Sequence, residues 1–127
     1  MGIILSIVSI FMSWVLFPFS LVYSIIRLAI KANIKAWAKY INKLFYSIAI
    51  SIDQLGNVVC QHLFNDLLIK KDGYRFGNED DTISFVLGCN KHHNKLTNLG
   101  LKVCELLNFF DKNHVEKTFN NAKSKTF

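Results

Sequence analysis

The chain has 127 residues, 51% of them hydrophobic and 13% aromatic, a composition that excludes a disordered chain and a length that allows one small domain with an appendage. The net charge of +6 is localised: residues 1–52 hold Arg27, Lys31, Lys35, Lys39 and Lys43 and no acid, whereas residues 53–127 set ten Lys/Arg against nine Asp/Glu. A distributed phosphate-tracking face is therefore excluded, and no nucleic-acid partner is expected.

Residues 3–26, IILSIVSIFMSWVLFPFSLVYSII, carry no charged side chain. As a helix they would extend roughly 36 Å, enough to cross a hydrocarbon core about 30 Å thick with some tilt. Ser6, Ser9, Ser13, Ser20 and Ser24 can return their hydroxyls to carbonyls one turn back, so their cost in lipid is small. The spacing of Ser13, Ser20 and Ser24 also suits helix–helix packing. Pro18 predicts a kink of the kind that membrane helices tolerate. A cleaved secretion signal fits poorly, since no Lys or Arg precedes the run and no small-x-small site precedes Arg27. A soluble core helix would need a polar face. The expectation is a transmembrane anchor over residues 1–30.

The flanking cations orient it. With all of them on the C-terminal side, the N-terminus is expected outside and the remainder in the cytoplasm, where Cys60, Cys89 and Cys104 stay reduced. MGIILS also matches the loose N-myristoylation pattern, which would require a eukaryotic host.

Residues 31–50 predict a basic amphipathic juxtamembrane helix. Ile34, Trp37, Ile41, Leu44, Phe45, Ile48 and Ile52 recur at three- and four-residue steps, and Lys31, Lys35, Lys39 and Lys43 step by four beside them. Lys31, Lys35, Trp37, Lys39 and Lys43 are the expected contacts with anionic headgroups. The alternative is a stalk whose apolar face packs on the C-terminal domain. A second crossing over residues 44–69 is disfavoured by Asp53, Gln54, Asn57, Gln61, His62, Asn65 and Asp66.

Residues 51–119 predict a small all-α domain. Gly73 and Gly77 mark KKDGYRFGN as a loop; Asn78 is the expected cap of a helix from Glu79, with Gly88 or Asn90 as its stop. Thr97 is the expected cap of a last helix whose buried stripe is Leu99, Val103, Leu106, Leu107 and Phe110. NNAKSKTF, within residues 120–127, reads as a disordered tail. No alternating strand pattern occurs.

The stretches SIDQLGNVVCQHLFNDLLI and KKDGYRFGNEDDTISFVLG, with FFDKNH beyond them, resemble a group of small, functionally uncharacterised proteins of tailed bacteriophages. That group has a D-Q-x-x-N segment, a P-D-E-T-[IL]-S segment and a later aromatic pair followed by an acid and a histidine. Glu79 here replaces the group's Pro, Asp81 its Glu and Phe85 a second Ser. The resemblance implies a phage origin and therefore a bacterial host, and no particular activity; with the anchor of residues 1–30 the expected location is the bacterial inner membrane. The matching residues are Asp53, Gln54, Asn57, Asp80, Thr82, Ser84, Asp111 and His114.

These polar positions form the candidate site, read as a structural network or a binding site. Asp53 with Asn57, and Asp80 with Ser84, each share a helix face at i, i+4. Asp80, Ser84 and His114 are the candidates for a nucleophile–base arrangement. Cys60-x-His62 and Cys89-x-x-His92-His93 offer thiolate and imidazole ligands, but Cys60 and His62 would point about 200° apart on one helix, so no metal and no cofactor is expected. GYRFG lacks the form of a phosphate-binding loop. Two functional classes remain: a membrane protein acting by insertion or association, as holin-like and lysis-associated factors do, and a membrane-tethered interaction module. A small hydrolase is the third reading. The expected partners are the bilayer and a protein, whether a different chain or a second copy.

Overall fold

The computed structural model describes residues 1–31 and 33–125. Among them the chain is all-α, with six helices: α1 (Gly2–Lys31), α2 (Ile34–Val59), α3 (Gln61–Leu67), α4 (Ile83–His92), α5 (Asn98–Phe110) and α6 (His114–Lys125). One isolated antiparallel bridge joins Ile69 to Leu96. Contacts divide the chain into two units at Ser47/Ile48.

In the first unit, α1 is the helix long and apolar enough to cross a membrane, a property shared by anchors and signal sequences. None of its 30 residues is buried. Ser13 and Ser24 bond back as expected, Ser13 Oγ to the Ser9 carbonyl at 2.7 Å and Ser24 Oγ to that of Ser20 at 2.8 Å. Asn33 starts α2, its Oδ1 accepting the Ala36 N–H at 2.9 Å. The Trp37 indole donates to the Ile25 carbonyl at 3.4 Å, and Lys31, Lys35, Lys39 and Lys43 are exposed.

The amphipathic helix does not stop at residue 50. With no Pro in the way it continues to Val59, which puts Asp53, Gln54 and Asn57 on α2.

The second unit is organised around α4, buried from Ser84 through Asn90 except for a half-buried Phe85. Its core is Leu68, Ile69, Phe76, Val86, Leu87, Leu96, Cys104 and Val115, with Phe64, Ile83, Phe85, Val103 and Leu107 packed against it. This core is thin for a domain of this length.

Several expected boundaries move. The helix begins at Ile83 and not at Glu79: Thr82, with extended backbone (ψ 155°), accepts the Phe85 N–H on its hydroxyl at 3.1 Å and is the cap. Asn78 instead closes a local turn, its Oδ1 accepting the Asp80 N–H at 3.2 Å. Gly88 and Asn90 do not end α4. A Cβ on Gly88 would lie 2.8 Å from the Val115 carbonyl oxygen and from Phe119 Cβ, so this glycine is where α6 crosses α4 closely.

Thr97 caps α5 as expected, accepting the Gly100 N–H at 3.1 Å, but α6 follows, so α5 is not the last helix. Its inward face is also rotated. Gly100, Val103, Cys104 and Leu107 face the core while Leu99, Leu106 and Phe110 are exposed, because Gly100 abuts the Leu68 carbonyl and fixes the contact. The backbone is helical to Lys125, so residues 120–125 are not the expected tail. NNAKSK holds no Gly or Pro to break a helix. Thr126 and Phe127, the rest of that tail, lie outside the described residues.

Candidate functional site

Four of the predicted polar residues form one chain of hydrogen bonds. The Ser84 hydroxyl, buried on α4, donates to Asp53 Oδ2 of α2 at 3.1 Å. His114, at the start of α6, sets Nε2 3.2 Å from Ser84 Oγ and Nδ1 2.9 Å from Asp111 Oδ2. Lys117 Nζ donates to the other Asp111 oxygen at 3.1 Å. These bonds, first His114 and then Lys117, hold the exposed Asp111 carboxyl below the usual carboxylate range.

Carboxylates only accept, so toward Asp53 the Ser84 hydroxyl is the donor, while which His114 nitrogen carries hydrogen depends on the tautomer. In a nucleophile–base pair the serine gives its proton to histidine, and the Ser84 hydroxyl lies within reach of both partners, 3.1 Å from Asp53 Oδ2 and 3.2 Å from His114 Nε2. Ser84 is also 3% exposed. The arrangement ties α2, α4 and the α5–α6 turn together.

The remaining predicted residues serve the loop at 70–82. Gln54 Nε2 donates to the Asp80 carbonyl at 3.0 Å, while the Asp80 side chain is exposed and takes no part in the Ser84–His114 chain. Asn57, with no exposed surface, donates to the Asn78 and Asp81 carbonyls at 2.7 and 2.9 Å and accepts the Gly77 N–H at 3.2 Å. Thr82 is the helix cap already described.

Two residues that sequence reasoning did not assign complete the pattern. Asn65 pairs with both backbone groups of Phe76, at 2.9 and 3.1 Å. Asn90 pairs with both of Tyr74, at 2.8 and 2.7 Å, and also donates to the Val86 carbonyl. Asn65 and Asn90 thus each imitate a strand neighbour of one loop residue, while Asn57, on a third helix, spreads its bonds over Gly77, Asn78 and Asp81. The signal available in the sequence was asparagine, a poor helix former, within helical stretches next to a glycine-bearing loop. The Tyr74 hydroxyl donates to Asp81 Oδ2 at 2.8 Å, which raises the tyrosine above its ordinary pKa.

Cys89 and Cys104 are free thiols pushed up to about 11 by burial. Among the described residues no three His, Cys, Asp or Glu side chains gather as a metal site. In comparisons with protein-family models, curated proteins and solved structures, nothing matches this chain.

Proposed function

We propose that this chain is a phage-type single-span protein of the bacterial inner membrane, with its N-terminus outside and residues 48–125 in the cytoplasm. It works by insertion and association in the bilayer, assisting lysis or engaging a host membrane complex. The observation that carries the reading is α1, 30 residues long, apolar and without one buried side chain. In water such a surface would aggregate; in lipid it is at its lowest free energy. The five cations of residues 27–43, unopposed by any acid, support the orientation. The D-Q-x-x-N and F-F-D-x-x-H segments support the phage origin.

The tethered interaction module is favoured by a separate observation. Phe109 and Phe110, 82% and 79% exposed at the end of α5, adjoin an exposed Leu106 on an otherwise folded domain. The burial of Ser84 weighs against the hydrolase reading.

The deciding experiment expresses the full chain in bacteria beside a variant carrying Val15→Lys and Leu16→Lys, each lysine costing about 3 kcal/mol at mid-bilayer. The parent should resist carbonate extraction and the variant should be released. A parent found in the carbonate supernatant overturns the reading.

A further inference from the structure

The Ser84 hydroxyl has one hydrogen and two neighbours able to accept it, Asp53 Oδ2 on α2 and His114 Nε2 on α6. Ser84 is buried, whereas the His114 side chain keeps 35% of its surface exposed and so exchanges protons with solvent. A surface titration is thereby joined to a buried contact between helices.

The other ring nitrogen is already engaged. Nδ1 lies 2.9 Å from Asp111 Oδ2, and Lys117 Nζ donates to the second oxygen of the same carboxylate. A bare Nδ1 would set its lone pair against that carboxylate, so the hydrogen of a neutral His114 belongs on Nδ1. Nε2 is then the nitrogen that gains or loses a proton, and it faces Ser84. When charged, the ring donates to Ser84 Oγ and the serine hydrogen is free for Asp53, so every link from Lys117 to Asp53 is made at once. When neutral, Nε2 is an acceptor that competes with Asp53 for a single hydrogen, and one of the two bonds is missing. The charged groups facing His114 are Asp111 on the α5–α6 turn, Lys117 on its own helix and, through Ser84, Asp53 on α2. Asp80, in the loop before α4, keeps its side chain exposed and stands outside the chain of bonds.

We propose that Ser84 relays the protonation of His114 to Asp53, making the domain's hold on α2 a pH-sensitive switch, complete when His114 is charged and one bond short when it is neutral. Acid tightens the hold and alkali loosens it. The stability supplied by the relay is present at the acid end and is lost as pH rises through the range in which histidine titrates, roughly pH 5 to 8. All members of the relay belong to the unit Ile48–Phe127, so it works alike whether or not α1 lies in lipid.

The test uses the full chain in detergent with histidine rings labelled with nitrogen-15, the His114 signals being those that vanish in His114→Gln. At about pH 8 the ring should carry its hydrogen on Nδ1 and leave Nε2 bare. Urea unfolding, followed by helical circular dichroism at about pH 5.5 and pH 8, gives the second readout. The parent's folded-to-unfolded ratio should gain about tenfold more on acidification than that of His114→Gln, the size of one hydrogen bond to a charged group. The comparison cancels the contributions of His62, His92 and His93. Ser84→Ala and Asp53→Ala should each remove most of that excess. An excess that survives in either variant traces to the Asp111 pair alone and overturns the relay. So does a His114 ring that carries its hydrogen on Nε2 at pH 8, a measurement on the unaltered chain that holds even where a variant fails to fold.

Discussion

Asn57 illustrates how much of this domain rests on single amides. Asn57→Ala removes three hydrogen bonds at a fully buried position, and at about 1 kcal/mol for each bond it should cost about 3 kcal/mol, read from the midpoint of denaturant unfolding in detergent. Asn57→Asp should be at least as damaging, since it turns donors into acceptors facing the Asn78 and Asp81 carbonyls. Tyr74 gives the pH-dependent counterpart. Its pKa is raised in the folded chain by the bond to Asp81, so the stabilisation is present below about pH 10 and is lost as pH rises through the folded value. Tyr74→Phe should remove that alkaline loss from a stability–pH profile. The two buried thiols follow the same sign, and at pH 8 neither Cys89 nor Cys104 should react with a thiol reagent until the domain is unfolded.

At the scale of the helix, close approach outweighs intrinsic preference. Gly100→Ala would ordinarily gain about 1 kcal/mol of helix propensity. Here the new Cβ would sit 2.3 Å from the Leu68 carbonyl oxygen, so a net loss of about 2 kcal/mol is expected in thermal unfolding. Gly56→Ala meets only the tip of the Ile83 side chain, at 3.0 Å, and should be near neutral. The same contrast explains which elements could be read in advance. Thr97 announced α5 because a cap is a local device of a few residues. The stripe of α5 could not be placed to within one position, because Gly100 takes its meaning from a carbonyl thirty-two residues earlier in the chain. Asn78 looked like a cap for the same reason: its neighbours are suitable, and the distant Asn57 that fixes the turn is invisible to local spacing. Ser84, His114 and Asp111 were singled out by residue type, yet the role of Asp53 as acceptor of the serine proton needed the two helices brought together.

For the molecule as a whole, α1 was legible in full, since twenty-four uncharged residues need no tertiary information. Its exposure makes a physical prediction independent of any partner. Full-length chain should sediment as aggregate in detergent-free buffer and as a discrete particle in detergent, with the helical content of residues 48–125 preserved in both.

The asparagine clasps have a consequence that secondary structure alone would conceal. Tyr74, Phe76 and Gly77 lie in a stretch assigned to neither helix nor strand, yet each main-chain N–H is held by a side-chain oxygen rooted in a helix. In deuterated solvent those three protons should persist as long as those of the helices that hold them, while the neighbouring Lys71 and Arg75 exchange early.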